Sequence, residues 1–405
     1  MQAVPYTLRE LFFKNVAQTS PSPLGLEIQR AEGVFLYTQD NRKIIDLVSG
    51  VCVSNTGHGN SEIIESVERQ LRQHMHLMVY GELIQTPQVE HAALLTSVLP
   101  ETLDTVYYVN SGSEANEAAL KLAKRVTGRR EMISFYGSYH GSTHGALSMM
   151  GSEELKNSFR PLLPGVSHIR FNSFEDLSLI TESCACVIAE PVMAEAGVLS
   201  PVNDYLKALR DRCTETGTLL IFDEIQTGFG RTGAMFSLQK YRVVPDILTL
   251  AKALGGGMPL GAVVASQDLM KAFMSNPVLG HITTFGGHPV SCAAALASLK
   301  LLLRESWVSC VNEKSAIFVE KLREHRLVKE IRAEGLLIAV DLKDEELAKE
   351  IMPLLIDEGV LSDWFLFCPT AFRIAPPLII NIEEINYATE RIVRALERLG
   401  TKFGI

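Results

Sequence analysis

Between about residues 104 and 300, short apolar segments alternate with longer segments whose apolar residues recur at helical spacing. In EANEAALKLAKRVTG, for example, Ala118, Leu122 and Val126 lie four residues apart, and Gly128 provides a helix stop signal. The short segments have strand length and no polar alternation: VYYV (106–109), CVIAEP, LLIFDE, ILTLAK and GAVVA. Buried strands separated by helices predict an α/β fold with a mostly parallel central sheet flanked by helices.

The pattern changes after the helical stretch PVSCAAALASLKLLL, near residue 295. Strand-like EIRAEGLLIAVDL and FRIAPPLII then combine with helix-like DEELAKEIMPLLIDEG and EEINYATERIVRALERLG, which predicts a smaller α+β domain. Near the N-terminus, EIQRAEGVFLYTQDNRKIIDL predicts a hairpin that turns around TQDNR. We therefore divide the chain into an N-terminal segment (1–50) packing with the small domain, a large α/β domain (51–295) and a small C-terminal domain (296–405).

Composition and charge argue against several classes of protein. The 405 residues carry a net charge of -9 and contain no Lys/Arg-rich run, so nucleic-acid binding is not expected. No stretch of about 18 apolar residues is present to span a membrane, and MQAVPYTLRELFFKN lacks the features of a signal peptide. The seven cysteines have no C-x-x-C spacing, so neither disulfides nor a metal site are predicted. We expect a cytoplasmic protein.

The segment LLIFDEIQTGFGRTG contains three glycines, Gly228, Gly230 and Gly233, with the G-x-G-x-x-G spacing of a dinucleotide-binding loop. Its context does not fit that loop. No convincing helix follows Gly233, and the acidic residues Asp223 and Glu224 precede the glycines instead of following them by about 20 residues. We interpret the glycines as a tight loop that leaves a site at the end of the strand.

Polar residues follow four of the predicted strands, at the sheet edge where α/β proteins bind ligands. Ser111 is a predicted helix N-cap with Glu114 as its capping-box partner, and the N–H groups there suit a phosphate. A plain helix cap explains the same two residues. Asp223 ends one strand, and Lys252 ends another, followed later by the polar loop TTFGG (283–287).

Lys252 is open to two interpretations. A single lysine at a strand end is usually a surface residue. Among apolar residues at the carboxyl edge, however, desolvation would lower its pKa towards that of a nucleophilic amine. An anion site, a carboxylate and an amine are together what pyridoxal 5'-phosphate (PLP) requires, and the combination in this order points to that cofactor.

At this level of detail the sequence resembles the class III aminotransferases, the PLP-dependent family of acetylornithine, ornithine and γ-aminobutyrate aminotransferases. The resemblance covers nearly the whole chain and rests on NSGSEANEAALKLA, SYHGSTHGALS, IAEPVMAEAGV, IFDEIQTGFGRTG, LAKALGGGMPLGA, TTFGGHP and FRIAPPL. It implies the PLP-dependent transferase fold of type I, and a homodimer with its active sites at the subunit interface.

The resemblance also implies which residues bind the cofactor. Lys252 would form a Schiff base with it, Asp223 would pair with the pyridine nitrogen, and Gln226 would bond the phenolic oxygen. The other candidates are Ser111, Gly112 and Ser113 at the phosphate, Tyr139 and Ile225 on the two ring faces, His140 and Glu190 nearby, and Thr284, which would reach the phosphate in the neighbouring subunit. His140 and His144 are interpreted as loop or core histidines and not as metal ligands.

For the substrate, Arg373 matches the family's carboxylate-binding arginine, and Glu195 matches the acid that shields it when no carboxylate is bound. Val51 is a further substrate-binding candidate. The loop YHGST departs from the family pattern, because Ser142 stands where acetylornithine, ornithine and γ-aminobutyrate enzymes have a second substrate-binding arginine. A hydroxyl does not replace that charge. The amino donor therefore stays open among an ω-amino acid, an (acetyl)ornithine-like compound and a diamine.

The function implied is an aminotransferase that works in two half-reactions, with Lys252 as the general base and a 2-oxo acid as the acceptor, for which 2-oxoglutarate is the expected compound. The alternatives are an aminomutase or decarboxylase relative on the same scaffold, or an aminotransferase specific for diaminobutyrate or diamines. An inactive paralogue is disfavoured because Lys252, Asp223 and Gln226 are all present. An oxidoreductase is the function that the three glycines alone suggest.

Overall fold

The computed structural model describes residues 6–405, so residues 1–5 of the predicted N-terminal segment lie outside the described residues. The helices are α1 (Leu8–Asn15), α2 (Ser49–Cys52), α3 (Ser61–Gln73), α4 (Thr86–Ser97), α5 (Gly112–Thr127), α6 (His144–Met149), α7 (Tyr205–Thr216), α8 (Ser237–Tyr241), α9 (Gln267–Met270), α10 (Pro289–Arg304), α11 (Val311–Leu322), α12 (Glu345–Asp357) and α13 (Ile382–Phe403). Short 3₁₀ turns occupy Asn157–Phe159, Glu175–Leu179, Lys252–Gly255 and Lys271–Met274.

The strands are β1 (Ile28–Glu32), β2 (Phe35–Thr38), β3 (Lys43–Asp46), β4 (Thr105–Val109), β5 (Glu131–Phe135), β6 (Val166–Ile169), β7 (Cys184–Ala189), β8 (Leu219–Asp223), β9 (Ile247–Leu250), β10 (Gly261–Ala265), β11 (Val328–Glu334), β12 (Leu337–Leu342), β13 (Val360–Leu361), β14 (Asp363–Phe365) and β15 (Cys368–Ile374). Every segment from which a buried strand was predicted forms one.

The central sheet has seven strands in the order β4-β10-β9-β8-β7-β5-β6. Strand β10 runs antiparallel to both of its neighbours, β4 and β9, and the other four strand pairs are parallel, so the predicted α/β fold with a mostly parallel sheet is confirmed. Strands β7, β9 and β10 are buried along their whole length because helices cover both faces. The carboxyl ends of β4, β5, β7, β8 and β9 consequently meet at one edge of the sheet.

Helix α5 brings the chain back from this edge. Its N-cap Ser111 accepts a hydrogen bond from Glu114 N, and its C-cap Gly128 has the left-handed φ of 68° that glycine tolerates best. The predicted capping box is incomplete. The Glu114 carboxylate accepts from the backbone N and side-chain Nδ2 of Asn110, at 2.8 and 2.9 Å, instead of from the N-cap N–H, and thereby fixes the residue that leaves β4.

Two smaller four-stranded sheets complete the fold. One has the order β1-β2-β3-β13 and contains the predicted hairpin, with β13 parallel to β3, and the other has the order β11-β12-β15-β14. The N-terminal strands thus pair with a strand from the last quarter of the chain. Helix α10 runs without a break through the predicted boundary at 295/296, and the three domain limits stay predictions. Within residues 6–405, no helix combines the length and apolarity needed to cross a bilayer.

The loop that contains Gly230 and Gly233 turns sharply, with φ angles of 90° and 89°. A helix does follow it, contrary to expectation, but α8 has only five residues. Its first N–H groups are already occupied, because the buried Glu224 carboxylate accepts from Ser237 N at 2.6 Å and Leu238 N at 2.7 Å. An acid in this place closes the helix N-terminus to a pyrophosphate.

Candidate active site

A cavity of about 400 Å³ lies at the carboxyl edge of the central sheet. Its walls include residues that follow β4, β5, β7, β8 and β9, which are brought together because these strands end at the same edge. Ten residues predicted for cofactor binding lie there together: Ser111, Gly112, Ser113, Tyr139, His140, Glu190, Asp223, Ile225, Gln226 and Lys252. Their individual roles stay predictions.

Lys252 is the first residue of the 3₁₀ turn after β9 and has a left-handed φ of 50°. It forms part of the cavity wall. Its Nζ donates a hydrogen bond of 2.7 Å to Gln226 Oε1. Burial lowers the pKa of Lys252 below the usual value for lysine, although the nearby carboxylates Glu195 and Asp223 oppose the shift. The neutral amine required of a nucleophile is therefore easier to reach here than on the surface.

Asp223 is held rigidly at the end of β8. Its Oδ2 contacts His140 Nδ1 at 2.8 Å and accepts from Asn116 Nδ2 at 2.8 Å, and its Oδ1 accepts from Ile225 N at 3.1 Å. The side chain is only 4% exposed. Three partners fix a buried carboxylate so that its charge acts at one point in the cavity.

Glu190 follows β7 and supports the loop that carries Tyr139. One carboxylate oxygen accepts from Tyr139 N at 3.0 Å, and the other accepts from Ala194 N at 3.1 Å. Burial raises the pKa of Glu190 to about 7, with nearby Asp223 adding to the rise and His140 opposing it. Glu190 thus fixes the backbone of the loop and titrates in the neutral range.

The residues present fit PLP on three observations. A Cβ on Gly112 would lie 2.8 Å from Ile225 Cδ1, and a Cβ on Gly141 would collide with Ser113 Oγ, so both glycines allow the chain to pack closely around the start of α5 in the cavity wall. Gln226 Nε2 is buried without a partner and is free to donate to a ring oxygen. The amine of Lys252 and the fixed carboxylate of Asp223 supply the remaining groups that the cofactor requires.

Ser142 is exposed and follows Gly141, a residue of the cavity wall, so it lies at the rim of the cavity. Its Oγ lies 3.2 Å from the hydroxyl of Tyr139, and its N–H donates to Ser113 Oγ at 3.3 Å. The adjacent Glu117 carboxylate accepts hydrogen bonds from Thr143 Oγ1 and from the N–H groups of Gly145 and Ala146 at the start of α6. The rim therefore offers hydroxyl groups to a substrate where an arginine would offer a positive charge.

Arg373 and Glu195 form an ion pair outside the residues that line the cavity. Arg373 Nη2 donates to Glu195 Oε1 at 2.7 Å, and both side chains are more than nine-tenths buried. Arg373 Nε and Nη1 have no hydrogen-bond partner, and the guanidinium lies 4.6 Å above the ring of Phe365. A buried guanidinium with two idle donors is suited to an anionic ligand.

Two other predicted residues do not line the cavity. Val51 lies in α2, where the four residues 49–52 all have positive φ, and this irregular turn places Val53, not Val51, in the cavity wall. Thr284 is exposed on the loop after the 3₁₀ turn at 271–274. Its neighbour Thr283 accepts from Asn110 Nδ2 at 2.8 Å, which ties this loop to the end of β4.

Two functional neighbours were missed from the sequence. Asn116 bonds both Asp223 and the backbone carbonyl of His140, the latter at 2.7 Å. The sequence contains a signal for Asn116, because it is a polar residue among the buried alanines of α5.

Arg231, in the glycine loop, is fully buried. Its guanidinium donates to the carbonyls of Leu336 at 2.9 Å and Pro376 at 2.6 Å, and so connects the glycine loop to the chain on either side of the β12–β15 strand pair, which contains Arg373.

No group of three or more metal-ligating side chains occurs within the part of the chain that the structure describes. His140 instead contacts Asp223, and the exposed His144 begins α6.

Comparison with known proteins gives a consistent result. Residues 16–396 match the family model of the class III aminotransferases. The chain is 38% identical over 378 residues to the acetylornithine aminotransferase of Clostridium acetobutylicum, covering 90% of this chain and 94% of the relative. It is 34% identical to the LysW-aminoadipate semialdehyde/glutamate semialdehyde transaminase of Sulfolobus acidocaldarius, covering 93% and 96% of the two chains. The structure of an ω-transaminase from Pseudomonas jessenii in complex with PMP is similar, with a TM-score of 0.91, 27% identity, and coverage of 98% and 99%.

Proposed function

Because the chain belongs to the class III aminotransferases, a family of PLP-dependent enzymes, we propose that it transfers an amino group from an ω-amino acid, an acetylornithine-like compound or a diamine to 2-oxoglutarate. That the chain is a PLP-dependent aminotransferase follows from the family, whereas the donor and the acceptor are the proposed part. The observation that supports the chemistry is one cavity in which Lys252, Asp223 and Gln226 meet.

PLP, when bound, supplies the carbonyl group that receives the amino group and the electron-withdrawing ring that makes the substrate carbon acidic. Lys252 would hold the cofactor, and its Nζ would then remove and return the proton of the substrate carbon, a task for which its lowered pKa is suited. Asp223 would keep the ring nitrogen protonated, because His140 and Asn116 fix its carboxylate. Gln226 orients the lysine amine before substrate arrives.

Arg373 would bind the carboxylate of the 2-oxo acid. In the structure Glu195 neutralises this arginine, and the Glu195 carboxylate also accepts from Leu366 N at 3.2 Å. A substrate without a carboxylate at this place would leave the ion pair intact, whereas a 2-oxo acid would replace Glu195 on the guanidinium. The ion pair would thereby allow the enzyme to accept two chemically different substrates in turn.

The nature of the donor is tested by restoring the missing cation. In Ser142→Arg we expect kcat/KM for donors with a distal carboxylate, acetylornithine and γ-aminobutyrate, to rise about tenfold relative to 1,4-diaminobutane, because one arginine–carboxylate pair contributes on the order of 1.5–3 kcal/mol. The measurement is the spectroscopic conversion of the cofactor by each donor. Ser178→Arg, at an exposed serine outside the cavity, is the control. An unchanged donor ratio in Ser142→Arg would show that Ser142 does not face the donor.

We also propose a homodimer in which Thr284 reaches the partner's cofactor phosphate. The loops 74–85 and 275–288 lie side by side, with the rings of His76 and Phe285 4.9 Å apart. They expose large apolar side chains, among them Ile84 at 94% and Val278 at 70%. A neighbouring apolar surface of this kind marks an interface. Sedimentation equilibrium should give twice the chain mass, and a single-chain mass at micromolar concentration would contradict the proposal.

The 2-oxoglutarate acceptor, the cytoplasmic location and the absence of nucleic-acid partners stay predictions from the sequence.

A further inference from the structure

Asn110 lies in the wall of the cavity, and no step of the proposed mechanism uses it. It follows β4 and directly precedes Ser111, the N-cap of α5. Its side-chain amide donates twice, to Glu114 Oε2 at 2.9 Å and to Thr283 Oγ1 at 2.8 Å. Because a side-chain amide has two N–H groups, both are occupied, and Asn110 connects the start of α5 to a loop 173 positions further along the chain.

The bond to Glu114 fixes the first turn of α5. Glu114 Oε2 also accepts from Asn110 N at 2.8 Å, and Glu114 N donates to Ser111 Oγ at 3.2 Å. Hydrogen bonds to a carboxylate hold their partners more firmly than neutral ones. Gly112 and Ser113, which are proposed to bind the cofactor phosphate, lie in this turn. The position of Asn110 therefore sets the position of the groups proposed to bind phosphate in the same subunit.

The loop 283–287 is packed tightly on the end of β4. A Cβ on Gly286 would lie 2.6 Å from Tyr108 O, and one on Gly287, whose φ is 78°, would lie 3.0 Å from Tyr108 Cβ. Glycine at both positions allows the loop to come this close to the strand. From α4, Gln88 Nε2 donates to Gly287 O. These contacts hold the C-terminal end of the loop.

The other end of the loop is held by Asn110. Thr283, the first loop residue, is partly buried and accepts from Asn110, whereas the next residue, Thr284, is exposed. One threonine therefore anchors the loop, and the other is presented to its surroundings. Because Thr284 is proposed to reach the partner's cofactor phosphate, loss of the anchoring bond would disturb a contact in the other subunit's site.

We propose that Asn110 is a positioning residue for both active sites of the homodimer. Through Glu114 it sets the phosphate site of its own subunit, and through Thr283 it sets the phosphate contact made to the partner. The inference rests on the proposed function, in which the start of α5 and Thr284 bind the cofactor phosphates of different subunits. In this role Asn110 acts through its two neighbours and takes no part in the chemistry.

The first test is the dissociation constant of PLP, measured by titrating the full-length protein and following the visible absorbance of the lysine-bound cofactor. It should rise about fivefold in Thr283→Val, which loses one hydrogen bond, and about tenfold in Asn110→Ala, which loses two. The double variant should match Asn110→Ala, because both changes remove the same bond, whereas independent effects would multiply to about fiftyfold. Thr283→Ser keeps the accepting hydroxyl and should bind PLP like the wild type.

The second test separates the two subunits. Mixed dimers are purified through two affinity tags, with Lys252→Ala in one chain, so that the visible absorbance reports only the site of the other chain. Thr283→Val on the Lys252→Ala chain should weaken PLP binding at the intact site about fivefold, although that site keeps all of its own residues. Placed on the chain that keeps Lys252, it should change binding by less than about twofold. Asn110→Ala should weaken binding from either chain.

Thr105→Val is the matched control, since it removes a threonine hydroxyl at the opposite end of β4, where Oγ1 donates to Asp104 Oδ1 at 2.8 Å. Its affinity for PLP should equal that of the wild type from either chain. If Asn110→Ala does not fold, Thr283→Val breaks the same bond from the side of the loop and decides the result.

Four results overturn the proposal: an effect of Asn110→Ala from one chain only, an effect of Thr283→Val confined to its own chain's site, independent losses in the double variant, or a purified chain that stays monomeric. If no amine converts the cofactor, the proposed function fails, whereas the PLP titrations still decide the role of Asn110.

Discussion

Replacement of Lys252 by alanine is expected to lower kcat by at least about 10⁴-fold, since the same amine holds the cofactor and moves the substrate proton. Lys252 is the only lysine in the cavity wall of the described chain, and its pKa is lowered by burial. No neighbouring amine is placed to replace it. The visible absorbance of the lysine-bound cofactor should disappear as well, which is measured on the purified protein after addition of PLP.

The loss should not come from unfolding. Lys252 Nζ donates its hydrogen bond to Gln226 Oε1, so the variant leaves one glutamine oxygen without a partner, at a cost of about 1–3 kcal/mol in the free energy of unfolding. Lys271→Ala, which removes an exposed lysine paired with Asp268, is the control and should keep full activity. A Lys252→Ala protein with more than about one hundredth of wild-type turnover would exclude Lys252 as the amine.

The second large effect is expected for Asp223→Asn. The substitution keeps the size of the side chain but removes the charge that would hold the cofactor nitrogen protonated, and we expect kcat to fall by about 10²–10³-fold, the magnitude found for the loss of one preorganised electrostatic contact. It also disturbs the contacts with His140 and Asn116, which are built for a carboxylate. Steady-state kinetics at saturating PLP measures the effect on turnover.

Asp246→Asn is a matched control, because Asp246 directly precedes β9, the neighbour of β8, at the opposite edge of the sheet from Asp223. Asp246 accepts from Leu220 N and pairs with Arg210, both at 2.7 Å, so its loss should lower stability without a comparable loss of kcat in the folded protein. Equal effects of the two substitutions on kcat would mean that Asp223 is a structural acid and that the cofactor nitrogen is held elsewhere.

The sequence predicted the central sheet well because its strands are buried on both faces. Segments such as CACVIA and GAVVA have no polar position to be confused with a helix face or a surface strand. Once the strands are placed, their carboxyl ends bring Ser111, Asp223 and Lys252 to one edge, and the composition of the cavity follows from chain order.

Other parts of the site depend on geometry that the residue pattern does not encode. The run of left-handed residues at 49–52 moves Val53 into the wall in place of Val51, and non-glycine residues give no advance signal of such a turn. Arg231 is fully buried in the glycine loop, although an arginine in a loop is normally expected to be exposed to solvent.

Amino transfer between two substrates is tested best by following the nitrogen itself. The purified protein with PLP is incubated with a ¹⁵N-amine donor and 2-oxoglutarate, and the products are identified by mass spectrometry. We expect ¹⁵N-glutamate in an amount equal to the carbonyl product of the donor, and none with Lys252→Ala. Conversion of the donor without labelled glutamate, whether to a rearranged amine, a decarboxylated amine or free ammonia, would contradict it.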